Sequence, residues 1–215
     1  MNLTQHAPLA RRTLKELPFR EHMVHMGLGI VGELGEFADA IKKSLIYLKP
    51  LDKVNLSEEG GDTFWYISNL NPEIGVDVAR MELAFATGFE AVTKVEGFDA
   101  GRVVIYVMAR CSNAVANLVN MQALDAGEEQ AIANVTIICR AMGELYATFG
   151  LDLAASLTAN IEKLKARYAE KFTEAAALNR DLGKERGVLE TTLGTSAADT
   201  PKVAAITGAK ARTAE

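Results

Sequence analysis

The first third of the chain contains two pairs of carboxylates, and within each pair the two residues are three positions apart. Glu33 and Glu36 lie in "GELGEFADAIKK", and Glu59 and Asp62 lie in "SEEGGDTFWYI". Residues three apart project from one face of an α-helix, so each pair places like charges close together, which is unfavourable unless they are neutralised. A hard divalent cation, Mg²⁺ or Mn²⁺, prefers oxygen ligands and would neutralise them. We predict a metal pocket that contains no protein cation, with these ligands: Glu33, Glu36, Glu59 and Asp62.

The competing interpretation of these pairs is an acidic helix face in solvent, the ordinary setting of a single E-x-x-E pair. The neighbouring residues argue against it, because both pairs stand among Gly, Leu, Ile, Phe and Trp rather than among Lys, Gln and Ser. A di-iron site is disfavoured as well, because such bundles use Glu-x-x-His pairs and neither pair contains histidine.

Other polar side chains fall on the same helix faces as the acidic pairs. From His25 to Glu36 the helix rises about 16 Å, a length along which an extended nucleoside triphosphate could lie. Gly29 would leave room for such a ligand between them. An exposed or a core position is an equally good interpretation of His25, and a zinc pair with His22 lacks further soft ligands nearby. The candidate nucleotide contacts on these faces are His25, Lys43, Tyr66 and Asn69.

A basic stripe follows in "NIEKLKARYAEKF", where polar side chains recur at spacings of three and four opposite an apolar stripe that ends at Tyr168. Amide, ammonium and guanidinium groups donate hydrogen bonds to phosphate oxygens, and Arg does so bidentately. A solvated basic face held by charge pairs is the alternative. The candidate phosphate contacts are Asn160, Lys163, Arg167, Lys171 and, in "NRDLGKER", Arg180.

The elements that position these residues are predicted to be helices throughout. Helical periodicity is widespread and strand signals are scarce, which indicates an all-α helical bundle. The two acidic helices, separated by a short loop, are expected to pack antiparallel with their carboxylates converging near one end. Ser57 is the predicted N-cap of the second. The predicted helices lie at about 20–48, from Ser57, 76–95, 99–123, 128–149, from Asp152, and 173–190, with breaks at Gly97 and Asp125-Gly127.

We expect one domain over 1–190, with a catalytic hairpin at 20–72, central helices at 76–150 and a phosphate-closing segment at 152–190. Residues 191–215 lack apolar periodicity, which predicts a disordered tail. "DTFWYISNLNPEIGVDV" and "TIICRAMGELYATFGLDL" share a plan, an apolar helix that runs into Gly and then Asp. Either a degenerate second helical hairpin or chance similarity explains this, and the second copy carries "RCSNAVANLVNM" where the first carries "GELGEFADAIKK".

Composition narrows the class of protein. The 215 residues carry a net charge of −5 and no basic block, which disfavours nucleic acid and membrane surfaces as partners. The sequence contains neither a signal peptide nor an apolar run of membrane-spanning length, so we expect a cytoplasmic protein. Cys111 and Cys139 stand in apolar helical stretches and are predicted to be buried free thiols.

Three stretches together resemble the MazG-like all-α nucleoside triphosphate pyrophosphohydrolases, particularly their short phage and bacterial members. The stretches are "HMGLGIVGELGEFADAIKK", "NLSEEGGDTFWYI" and "NIEKLKARYAEKF" with "NRDLGKER". The resemblance covers about 22–72 and 155–190 and leaves 76–150 outside. Arg167-Tyr168-Ala169 departs from the common Arg-Tyr-Pro, and Gly60-Gly61 departs from the common Leu-Gly.

The resemblance implies metal-dependent hydrolysis of a nucleoside triphosphate to the monophosphate and pyrophosphate, by a homodimer or higher homo-oligomer. It implies that all four carboxylates bind metal, while Glu36 or Glu33 could instead orient the attacking water. Deoxynucleotides, dGTP first, are the expected substrates. A catalytically silent nucleotide-binding or regulatory protein and a purely structural helical module are the alternatives. The segment implied to close over the phosphates comprises Asn160, Lys163, Arg167, Tyr168 and Lys171.

Overall fold

The computed structural model describes residues 1–93, 99–121, 127–168 and 170–194, and these residues form helices without a strand. The predicted all-α class is confirmed. The helices are α1 (Leu3–Arg11), α2 (Phe19–Leu45), α3 (Lys53–Ile74), α4 (Val78–Thr93), α5 (Ala100–Val119), α6 (Glu128–Phe149), α7 (Leu153–Arg167), α8 (Glu174–Leu178) and α9 (Leu182–Leu193).

The boundaries of several helices differ from those predicted. α3 begins one turn before Ser57, because the side chain of Asp52 accepts a hydrogen bond from the Asn55 amide at 3.0 Å and caps the helix there. The last predicted helix is two helices, and α9 continues to Leu193, beyond the predicted end at 190. The predicted breaks at Gly97 and Asp125, and the tail from 195 onward, lie outside the described residues.

Four helices, α2, α3, α5 and α6, form an antiparallel bundle around the main apolar core. The direction of the first hairpin follows from two contacts, since His22 of α2 hydrogen-bonds to Asn69 of α3 while Glu33 lies beside Glu59. In the second hairpin, Arg110 of α5 pairs with Glu144 of α6, and Asn117 hydrogen-bonds to Asn134, so the residue numbers run in opposite directions. Short connections between neighbouring helices favour this up-and-down order.

The outer helices pack across the bundle in a reciprocal way. α4, which follows the first hairpin, packs on α6 of the second hairpin, and α7, which follows the second hairpin, packs on α3 of the first. A duplicated hairpin would produce this exchange, although the duplication itself stays a prediction. α1 packs on α3 and α7, and α9 packs on α7, so the acidic hairpin is covered by the two ends of the described chain.

Two further predictions concern the interior and its polarity. Cys111 and Cys139 are buried free thiols, as predicted, and burial raises the pKa of each to about 12. None of the helices in the described ranges combines the length and the apolar character needed to cross a bilayer.

Candidate metal and nucleotide site

Three carboxylates meet where α2 crosses α3. Glu33 of α2 and Glu59 and Asp62 of α3 each offer an oxygen, and these oxygens lie within 4.8 Å of one another. Glu59 is buried, with 4% of its surface exposed, while the other two are half-buried. Oxygen-only donors at this separation suit Mg²⁺ or Mn²⁺. We call Glu33, Glu59 and Asp62 the acidic cluster.

Glu36, predicted as the fourth ligand, lies outside the acidic cluster. Its side chain is exposed and lines a neighbouring depression of about 350 Å³ together with Glu59, Asp39 and Lys43. The expected convergence of all four carboxylates is therefore wrong for Glu36. The two side chains share a helix face but not a neighbour: Glu33 is half-buried against α3, whereas Glu36 lies on the exposed part of that face.

The acidic cluster crowds three carboxyl groups together. Burial, and after it the charge of Asp62, raises the pKa of Glu33 to about 7 and that of Glu59 to about 9. Asn55 donates its side-chain amide to Glu59, whose carboxyl group lies beside that of Glu33. A proton on Glu59 therefore relieves the repulsion that a dication would otherwise relieve.

Lys163 brings a protein cation to this cluster. Its side chain is 1% exposed, and its ammonium group donates to Glu58 at 3.0 Å and to Asp62. Burial opposes the charged form, but the carboxylates of Asp62 and Glu58 hold the pKa of Lys163 above its ordinary value. The expectation of a pocket without protein cations is thus wrong. Lys163, predicted as a phosphate contact, instead contacts these carboxylates.

A cavity of about 290 Å³ opens on Glu33 and Asp62, near the lower end of the usual size of ligand pockets. Its wall combines aromatic rings with cationic groups. Several predicted contacts meet there, together with residues that were not predicted. The cavity-lining residues are Thr13, Lys15, His25, Glu33, Asp62, Trp65, Tyr66, Leu164, Arg167, Tyr168, Phe172, Ala177 and Arg180. We call this space the aromatic cavity.

The aromatic side of this cavity is organised by Tyr66. Its ring meets those of Trp65 and His25 edge to face, at centroid distances of 4.9 Å and 5.9 Å. Burial and the neighbouring carboxylates raise the pKa of Tyr66 to about 12, so its phenol stays a neutral hydrogen-bond donor. The indole of Trp65 donates to Ala10 and Thr13, which orients the ring against the end of α1.

Two arginines of the cavity wall are held by one buried carboxylate. Arg167 donates to Glu185 through Nε at 2.8 Å and Nη2 at 2.6 Å, and Arg180 donates through Nη2 at 2.8 Å. Burial would raise the pKa of Glu185, but these hydrogen bonds lower it to about 2. Each guanidinium keeps unused donors, so the pair can still bind an anion.

Besides Lys163 and Asn160, which contact the acidic cluster, three predicted contacts do not line the aromatic cavity. Asn69 is buried, and its amide donates to the carbonyl of Trp65 at 2.9 Å. Lys43 pairs with Asp39 at 2.7 Å beside the depression that Glu36 lines. Lys171 is exposed and is not part of the cavity wall. Helical faces alone misplaced Lys43 and Asn69, because a face is wider than the strip that a neighbouring helix leaves open, and Lys171 lies beyond the end of α7 at Arg167.

Asn160 supports the acidic cluster from α7. Its side-chain amide donates to Asp62 Oδ1 at 2.6 Å, and its carbonyl oxygen lies 3.0 Å from Nε2 of His6. The sequence predicts Asn160 as a phosphate contact, and none of its motifs includes His6. Nothing local could have revealed His6, because its partner lies 154 residues away.

Three glycines explain how closely these helices approach. A Cβ at Gly61 would lie 2.9 Å from the carbonyl oxygen of Ser156, so α3 and α7 can touch only because Gly61 has no side chain. A Cβ at Gly60 would similarly meet the ring of Tyr146. Gly29, expected to make room for a ligand, instead accommodates the ring of Tyr66, which a Cβ would meet at 2.1 Å.

Comparison with family models, with curated proteins and with solved structures gives no match for this chain.

Proposed function

We propose that this protein is a metal-dependent nucleoside triphosphate pyrophosphohydrolase, which releases pyrophosphate and the monophosphate. Deoxynucleoside triphosphates, dGTP first, are the proposed substrates. The observation that carries the proposal is the opening of the acidic cluster onto a cavity that combines aromatic rings with two arginines. Each part of the pocket has a counterpart in a nucleotide. The carboxylates suit the metal ion that a triphosphate binds, the arginines suit the phosphate charge, and the aromatic rings suit the flat base.

Glu33, Glu59 and Asp62 are the proposed ligands for Mg²⁺ or Mn²⁺. The fit rests on an all-oxygen donor set whose atoms lie within 4.8 Å of one another and whose mutual repulsion a cation would relieve. When bound, such an ion polarises phosphate oxygens and lowers the pKa of a coordinated water.

The other residues of the cavity would bind and orient the substrate. Arg167 and Arg180, fixed by Glu185, would stabilise charge on the phosphates. The aromatic rings that line the cavity, Tyr66 and Trp65 among them, are the groups on which the base would stack. Glu36, the other carboxylate considered for orienting the attacking water, lines the adjoining depression and not this cavity, which argues against that role for Glu36.

The direct test is pyrophosphate release from dGTP, dATP, dCTP, dUTP and the four ribonucleotides with Mg²⁺ or Mn²⁺. We expect release by the wild type and a loss of at least about 100-fold in Glu59→Gln, where the ligand charge is removed. Glu128→Gln, which changes an exposed carboxylate in the first turn of α6, is the matched control and should retain activity. Absence of release with every nucleotide would contradict the proposal.

The second candidate is a catalytically silent nucleotide-binding or regulatory protein on the same scaffold. Lys163 favours it, because its ammonium group already neutralises Asp62 and would compete with a metal for that carboxylate. Tight nucleotide binding in calorimetry without pyrophosphate release would support this second function over the first.

Two properties of the whole protein accompany the proposal. A homodimer or higher homo-oligomer stays a prediction, to be checked by the mass of the particle in light scattering. A cytoplasmic location, where nucleotide pools lie, is likewise proposed, with neither nucleic acid nor membrane as partner.

A further inference from the structure

We propose that His6 is a positioning residue that, acting through Asn160, holds Asp62 in the orientation needed to bind the metal. This inference rests on the metal site of the proposed function and extends it to a helix, α1, that contributes no ligand. The motifs of the sequence lie on other helices, so nothing in them points to α1.

A continuous chain of hydrogen-bonding groups joins α1 to the acidic cluster. Nδ1 of His6 lies 3.2 Å from Ser68 Oγ, and Nε2 lies 3.0 Å from Asn160 Oδ1. The amide of Asn160 then donates to Asp62 Oδ1 at 2.6 Å. His6 is fully buried, and Ser68 and Asn160 are also buried, so water cannot replace any of these partners without reopening the contact between α1, α3 and α7.

The direction of every hydrogen bond in this chain is determined by Asp62. An ionised carboxylate only accepts, so Asn160 must turn its amide group to Asp62 and its carbonyl oxygen to His6. His6 must then carry its proton on Nε2 and accept the hydroxyl hydrogen of Ser68 on Nδ1. Burial lowers the pKa of His6 to about 4, which keeps the ring neutral and allows it one donor and one acceptor.

Asp62 is held on both sides by this arrangement. Asn160 binds Oδ1, and Lys163 binds Oδ2, so the plane of the carboxylate is fixed relative to Glu33 and Glu59. Without His6, the carbonyl oxygen of Asn160 would be buried without its partner, and the amide could rotate to find another. Outer partners that orient metal ligands in this way commonly change metal affinity 10- to 100-fold.

A purely structural role for His6 makes a different prediction. If His6 only anchored α1, any substitution that loosened α1 would affect the metal site equally. Leu3 offers the matched comparison. It is a buried apolar residue of the same helix, and its side chain takes no part in the hydrogen bonds that lead from His6 to Asp62.

The experiment measures Mn²⁺ affinity by electron paramagnetic resonance, without nucleotide, on the full chain and on His6→Leu, His6→Gln and Leu3→Ala. We expect His6→Leu to bind Mn²⁺ about 10- to 100-fold more weakly. His6→Gln should recover most of the affinity, because its amide can donate to Asn160. Leu3→Ala should unfold at a lower temperature yet bind Mn²⁺ as the wild type does. Equal affinity in His6→Leu, or an equal loss in Leu3→Ala, would overturn the proposal.

Nuclear magnetic resonance of the wild type provides a test that does not depend on any variant folding. Nitrogen shifts of His6 should show a neutral ring with its proton on Nε2 between pH 5 and 7, and a proton on Nδ1 would overturn the proposal. Failure of the proposed function is distinguishable: Mn²⁺ binding that depends on His6 without pyrophosphate release sinks only the hydrolase. Pyrophosphate release with Mn²⁺ affinity indifferent to His6 sinks only the role of His6.

Discussion

At the scale of single residues, Lys163 is the buried counter-ion of the acidic cluster. Its ammonium group is almost completely buried between Glu58 and Asp62. Removing one partner of a buried ion pair leaves an uncompensated charge, so Lys163→Met should lower the free energy of unfolding by about 3–5 kcal/mol. Urea denaturation measures this difference.

The neighbouring lysine supplies the control for that measurement. Lys165 pairs with Glu162 on the exposed side of α7, so Lys165→Met should cost less than about 1 kcal/mol. If the two variants lose similar stability, the ion pair of Lys163 has no special weight, and the electrostatic description of the cluster is wrong.

His6 makes the stability of the protein depend on pH in a definite direction. In the unfolded chain the imidazole binds a proton below about pH 6.5, but in the folded protein it does so only below about pH 4. The unfolded state therefore binds more protons between these values, and stability falls as the pH is lowered from 6.5 to 4. The shift corresponds to roughly 3 kcal/mol.

The variant His6→Gln isolates this contribution, because carboxylates titrate alike in both chains. Urea denaturation at pH 7, 5.5 and 4.5 should give a steeper loss of stability for the wild type than for His6→Gln. Parallel pH profiles would mean that His6 titrates with an ordinary pKa.

At the scale of elements, the close crossing of α3 and α7 depends on Gly61. A Cβ there would press on a backbone carbonyl oxygen of α7 rather than on a flexible side chain. Gly61→Ala should therefore push α7 away, cost about 1–3 kcal/mol and weaken Mn²⁺ binding by moving Asn160 and Lys163 off Asp62. Gly32→Ala is the control, since nothing lies within 4 Å of its Cβ.

The two alanine variants should differ in sign as well as in size. Gly32 lies within α2, where alanine favours the helix by about 1 kcal/mol, so Gly32→Ala should raise the unfolding temperature. A calorimetric scan of both variants decides the point. A harmless Gly61→Ala would mean that α7 can shift without loss, and that Gly61 meets no packing requirement.

The sequence predicts some helices of the fold and misses others. Apolar periodicity located α2 and α3 because each is long and one-sided in polarity. It missed α1, a nine-residue helix with an internal proline, whose capping box of Asn2 and Gln5 is the signal that was available. The acidic cluster was predicted in part, since spacing identifies a face but not which side chain of that face meets the next helix.

At the scale of the whole molecule, the site depends on residues that are far apart in the chain. The first hairpin supplies the carboxylates, α7 supplies Asn160 and Lys163, and the N-terminal helix supplies His6. The second hairpin joins its helices through Arg110 with Glu144 and through Asn117 with Asn134. Within the described ranges, the acidic cluster is the one group of residues suited to a metal. Because only the first hairpin carries this cluster, we expect one metal site per chain.

Metal binding should therefore stabilise the whole bundle, because the ligands come from helices that the unfolded chain does not hold together. A ligand present at 100 times its dissociation constant adds about 2.7 kcal/mol, which raises the unfolding temperature of a chain this long by roughly 5–10 °C. Glu59→Gln should raise the unfolding temperature in the absence of metal. It removes a buried carboxyl group from the repulsive cluster, so the metal-free variant should unfold at a higher temperature than the metal-free wild type.

Thermal unfolding of the wild type, Glu59→Gln and Glu128→Gln with and without Mn²⁺ tests both halves of this prediction. The wild type and Glu128→Gln should gain stability with Mn²⁺, and Glu59→Gln should gain none. A cation that acts by general screening would shift all three chains together, because screening acts on every exposed charge. A specific site in the acidic cluster predicts two results together. The stability gained with Mn²⁺ depends on Glu59, and Glu59 lowers the stability of the fold when no metal is bound.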